Sequence, residues 1–101
     1  MGYSVRLAQA AEEDAAAIVD YLAVTLISPQ AADRFIATFV DVVATLETLP
    51  ESYPPVEEPI LHGRGYRKAQ ITNYLAIFRV EDKTVYVVRI VHQSQDYARL
   101  L

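Results

Sequence analysis

The hydrophobic positions of the chain change period along its length, and each change marks a new element. Tyr3 to Ala8 (YSVRLA) alternates loosely and predicts a short first strand. From Ala10 to Ile27 (AAEEDAAAIVDYLAVTLI) the period is helical: Ala15, Ile18, Leu22 and Leu26 form one apolar stripe. Glu12, Glu13 and Asp14 are placed at the helix start, where negative charge suits the helix dipole. Ser28 followed by Pro29 is a cap plus a first-turn proline. It opens a second helix whose apolar residues Ala32, Phe35, Ile36, Phe39, Val42, Val43 and Leu46 recur at helical spacing until Pro50 ends the run. So short a connection folds the two helices back on each other as an antiparallel hairpin.

Residues 50 to 64 (PESYPPVEEPILHGR) hold four of the five prolines, so an irregular surface connection is expected there, without helix or strand. Three runs rich in β-branched and aromatic residues follow, Tyr66 to Ile71, Tyr74 to Glu81 and Thr84 to His92. With Thr72-Asn73 and Asp82-Lys83 as tight turns, they form an antiparallel meander. A two-residue turn at Asp82-Lys83 sets Arg79 opposite Tyr86 and Ala76 opposite Arg89, which puts the two arginines on opposite sheet faces. The expected fold is α+β in the order β-α-α-β-β-β, one domain over residues 1–101. Its helical hairpin covers one face of the sheet and leaves the other partly open.

Charge divides the chain at the same place as the periodicity. Residues 1–58 set Arg6 and Arg34 against ten carboxylates, a balance of −8, whereas residues 59–101 set seven Arg and Lys against Glu81, Asp82 and Asp96, a balance of +4. The overall −4 and pI of 5.0 therefore hide a dipolar molecule. The acidic total argues against tight nonspecific nucleic-acid binding. With no cysteine and only two histidines, the chain is expected to need no disulfide, metal or cofactor. Its beginning does not read as a basic-then-apolar leader, and its apolar run VYVVRIV is far shorter than a membrane span and contains Arg89. A soluble, cytoplasmic protein is expected.

An ordered set of segments then resembles the RelE/ParE superfamily of toxins from type II toxin–antitoxin modules. The set comprises the first helix from Asp14 through Tyr21, the second helix running into LETLPESYPP, and GYR at Gly65 to Arg67. NYLAIFRVED at Asn73 to Asp82 and VVRIVHQSQDYARLL at Val87 to Leu101 complete it. The resemblance implies a small growth-arresting protein in a hetero-oligomer with its cognate antitoxin. RelE-like members cleave mRNA on the ribosome; ParE-like members poison DNA gyrase.

Metal-free RNA cleavage needs a proton acceptor, cations around the phosphate and an acid for the leaving oxygen. Arg67 matches a position that is basic in RelE-like nucleases. Ala69, Leu75, and the pair Ser94 and Gln95 stand where such nucleases carry further cations. Each lost charge-assisted contact in a dry site costs roughly 3 kcal/mol of transition-state stabilisation. The reading is therefore a ParE-like, gyrase-binding toxin that acts by binding, with Arg67, Lys68, Arg79, Arg89, His92 and Tyr97 contacting partners. A ribosome-dependent endoribonuclease using Arg67, Arg79, Arg89, His92 and Tyr97 is the alternative. An inactive family member that only binds antitoxin is a further one. His92 is either an acid or base or a strand-end residue bonded to the turn near Asp96. Tyr97 is either a donor or a core ring beside Leu100, and Arg89 stands out because it interrupts an apolar strand.

Overall fold

The computed structural model describes residues 2–101. Its elements are β1 (Ser4–Leu7), α1 (Gln9–Asp20), α2 (Pro29–Leu46), α3 (Pro59–Gly63), β2 (Arg67–Ile71), β3 (Tyr74–Glu81) and β4 (Thr84–His92). The strands form one sheet in the order β1-β4-β3-β2. β1 runs parallel to β4 and the other pairs are antiparallel. The expected order of elements is thus present, with the first strand placed at one edge of the meander. No helix among the described residues is long and apolar enough to cross a membrane.

α1 does not stop at Asp20 but widens into a single π turn, Tyr21–Thr25. Ile27 then takes a left-handed φ of 49°. Ser28 caps α2 as its sequence predicts, its Oγ accepting from the Ala31 N–H at 3.3 Å, with Pro29 in the first turn. Phe35, Val42 and Leu46 from α2 and Ala11, Ile18 and Leu22 from the first helix meet Ala69, Ile71, Ala76, Phe78, Val85 and Val87 of the sheet in the main core. Phe35 lies edge-on to Tyr74 with centroids 5.5 Å apart.

Three expectations are corrected. The stretch 50–64 is not wholly irregular: Pro50–Ser52 is a 3₁₀ turn, and α3 forms because Glu58 caps it, its Oε1 accepting from the Leu61 N–H at 2.9 Å, with Pro59 at the first position. Just before it, Pro54 and Val56 bond to the outer edge of β2 through Lys68 N–H and Tyr66 C=O. The opposite sheet face is also less open than expected. Leu75, Ile77 and Val91 form a second core there with Val56 and Leu61, against which Tyr66, Val88, Tyr97 and Leu101 pack.

The third correction concerns register. The Asp82-Lys83 turn is as expected, and Arg79 does face Tyr86. Beyond it, Phe78 faces Val87 while Ile77 faces Arg89, so Val88 is an extra residue, a β-bulge in β4. Ala76 consequently faces Ile90 rather than Arg89. A one-residue shift exchanges faces, so Arg89 comes into register with Ile77 on the face that Arg79 also occupies.

Candidate partner-binding surfaces

Four of the five basic residues of the sheet, all but Arg6 on β1, are held by the protein's own groups. Arg67 donates from Nη1 to the Tyr53 carbonyl at 2.6 Å, which ties β2 to the preceding connection. Lys68 pairs with Glu57 at 3.1 Å. Arg79 pairs with Glu81 at 3.2 Å and lies over the Tyr86 ring, 4.8 Å from its centroid. Arg89 makes a forked contact to Asp14, Nε to Oδ2 at 2.8 Å and Nη2 to Oδ1 at 3.0 Å. That hydrogen bond is the main reason the guanidinium is pushed above its ordinary range.

Asp14 is the residue that sequence reasoning misassigned. It belongs to the second turn of α1, and its Oδ2 also accepts the Ile90 N–H at 2.9 Å. β1 ends at Leu7, opposite Val87, so β4 beyond that point has a free side. The Asp14 carboxylate takes over where the neighbouring strand stops. A signal was present: Asp14 lies at helical spacing from Ala11 and Ile18, on the buried stripe, and Arg89 interrupts an apolar strand.

His92 bonds within its own turn, to Ser94 rather than to the neighbourhood of Asp96. Its Nδ1 lies 2.8 Å from Ser94 Oγ and accepts the Ser94 N–H at 3.2 Å. Its ring is edge-on to Tyr74, 5.3 Å between centroids. Tyr97 packs against the second core. Register places Lys68 and Arg89 on either side of Ile77, whereas His92 sits opposite Tyr74 on the helix-covered face. The six candidate residues therefore do not converge on one point.

An open, mostly apolar hollow lies instead on the helical hairpin. A groove of about 540 Å³ runs between the helices, lined by Ala15, Ala16, Val19, Ala23, Val24, Phe35, Ile36 and Phe39, with Asp20 as its one charged residue. A second hollow of about 300 Å³ continues along α2 past Phe39, Val40 and Val43. Val24 and Val40 are 66% and 61% exposed, which is the character of a surface that a partner covers. The small side chains of α1 make room, and the large ones of α2 form the floor.

Comparison with known proteins agrees with this architecture. Residues 5–97 match the family model described as the ParE toxin of the type II toxin–antitoxin system parDE. Among solved structures, the chain is similar to one from the chromosomal ParDE system of P. aeruginosa, with a TM-score of 0.70 and 26% identity over 89% of this chain and 95% of that one. It shares its fold with a chain of the toxin–antitoxin complex RelBE2 from Mycobacterium tuberculosis, at a TM-score of 0.55 and 19% identity, covering 91% of this chain and 99% of that one. YafQ from E. coli also shares the fold, at 0.54 and 18%, covering 98% of each chain. No curated protein sequence matches the chain. With 5–97 matched and the strand, helical hairpin and meander in place, the chain belongs to the ParE toxin family of type II toxin–antitoxin systems.

Proposed function

We propose that this toxin arrests growth by binding DNA gyrase in the cytoplasm, and that a cognate antitoxin neutralises it by laying an amphipathic segment in the groove between α1 and α2. The groove carries the antitoxin part of this reading. Its walls are mostly apolar and partly exposed, Asp20 and Glu47 being the charged exceptions, and its length along two helices suits a helix presenting residues at i, i+3, i+4 and i+7. The match to the ParE family, and the likeness to a chain of the P. aeruginosa ParDE system, support the same partner class. Action by binding rather than by bond cleavage is supported by the state of the cations. Arg67, Arg79 and Arg89 each hold an internal partner, and a phosphate would have to displace Tyr53, Glu81 or Asp14 to reach them.

The test assays the purified chain against gyrase supercoiling and, separately, against ribosome-bound mRNA. Inhibited supercoiling with intact mRNA is expected. Cleaved mRNA with normal supercoiling overturns the gyrase reading.

A further inference from the structure

A second, smaller cleft lies between the tip of the helical hairpin and the end of the sheet. It measures about 220 Å³ and is lined by Tyr21, Leu22, Leu26, Ala31, Arg34, Thr72, Asn73, Tyr74 and His92. It shares no lining residue with the apolar groove. On α2, Arg34 and Ile36 are two positions apart and so point to different flanks of the helix. The groove and the cleft are thus lined by separate sets of side chains.

The chemistry of the lining is one-sided. Arg34 has no ion pair and no hydrogen bond among the described residues, unlike Arg67, Lys68, Arg79 and Arg89. Beside it stand the phenols of Tyr21 and Tyr74, the amide of Asn73 and the imidazole of His92, and no carboxylate. Ser94 occupies the His92 Nδ1, which leaves Nε2 as the ring nitrogen free to meet a ligand. Burial, with Tyr21 adding to it, raises the Tyr74 pKa and keeps that phenol protonated. A donor-rich cleft with an unpaired guanidinium is complementary to an anion.

The backbone on the helical side of the cleft is irregular in two places: the π turn sets Tyr21 at its rim, and Ile27 follows Leu26 with a φ of 49°. The φ of 53° at Thr72 is the ordinary geometry of its hairpin turn, as at Asp82. β-Branched residues seldom adopt an angle like that of Ile27, and strain of this kind gathers where a ligand is held. The volume is below the roughly 300–1,000 Å³ of small-molecule sites. It suits one side chain offered by a larger partner. Leu26, 52% exposed, and Ile27, 81% exposed, provide apolar surface next to the cationic centre, which favours a protein over a nucleic acid.

We propose that this cleft receives a carboxylate side chain of the toxin's protein target, with Arg34 as its ionic partner and Tyr21, Asn73, Tyr74 and His92 as supporting donors. The inference rests on the gyrase reading above and names the part of the surface that makes the contact. The groove then serves the antitoxin and the cleft serves the target.

Arg34→Glu tests this, with Arg6→Glu as a control that reverses an exposed charge on β1. Gyrase binding and supercoiling inhibition are measured for both variants and for the wild type, together with antitoxin affinity and thermal unfolding. Arg34→Glu is expected to weaken gyrase binding by about tenfold or more, while antitoxin affinity and the unfolding curve stay within about twofold and a degree or two of wild type. Arg6→Glu is expected to change neither. Wild-type gyrase inhibition by Arg34→Glu overturns the role of the cleft and leaves the gyrase reading standing. An equal loss of antitoxin affinity, or an equal loss in Arg6→Glu, also overturns it, by making the cleft part of the antitoxin interface or the effect one of net charge. A wild-type chain without effect on gyrase overturns the gyrase reading, and this inference with it.

Discussion

Asp14 on α1 and Arg89 on β4, 75 positions apart, are joined by a forked ion pair whose carboxylate also accepts the Ile90 N–H. The pair closes the free side of β4 beyond β1, at the point where a bulge has turned Arg89 into register with Ile77. Both side chains keep partial contact with water, so its worth lies less in charge attraction than in satisfying three donors at once.

Asp14→Ala is expected to destabilise the fold by about 1–3 kcal/mol, because it strands the guanidinium and the Ile90 N–H together. Amide exchange should accelerate at Ile90 before it does so at Phe78 in the middle of the sheet. Unchanged stability by chemical denaturation would show that water replaces the carboxylate at no cost. Arg89→Ala is expected to destabilise less, since it leaves Asp14 free to keep its bond to Ile90.

Ile36→Glu addresses the groove. Ile36 is 45% exposed, so the fold should lose well under about 1 kcal/mol, while a charge set into an apolar contact should weaken antitoxin binding by more than about tenfold. Calorimetric titration with the antitoxin reads the affinity, and a thermal melt reads the fold. Undiminished affinity would remove the groove from the interface.

Ile27 combines a left-handed φ of 49° with 81% exposure. Glycine has no Cβ to strain at that angle, and little burial is lost. Ile27→Gly is accordingly expected to stabilise the isolated chain by about 1 kcal/mol, read as a higher denaturant midpoint at unchanged slope.

Alkaline pH should unfold the protein through Tyr74. Burial first, and then Tyr21, raise its pKa above the ordinary 10.0. A raised pKa means that the folded state holds the proton more tightly than the unfolded chain. Its stabilising contribution is then complete below pH 10 and is lost as the pH rises through the folded value. Thermal melts from neutral pH to pH 11 should fall more steeply in wild type than in Tyr74→Phe. Parallel curves would assign the alkaline loss to other groups.

Most of the element order was legible in the chain because period, caps and turn residues are local properties. Ser28-Pro29 marked the start of α2, and Thr84 to His92 read as a strand of the same extent as β4. α3 was missed because proline counts masked its signal: Glu58 and Pro59 are a cap and a first-turn residue, and the surrounding prolines read as a loop. The site residues were less legible. A basic side chain on a strand looks the same in sequence whether it awaits a partner or already has one.

The sequence by itself determined the periods, the two tight turns, the hairpin of helices and the split between acidic and basic halves, since each depends on neighbours a few positions apart. Only the tertiary structure decided that Val88 bulges and that β1 lies beside β4. It alone decided that Arg67, Lys68, Arg79 and Arg89 are engaged internally, and that Arg34, from the acidic half, is left unpaired in a cleft of donors. The reason is physical: a bulge, an edge and an ion pair are settled by which distant groups can reach one another once the core has packed, and residue type alone does not carry that distance.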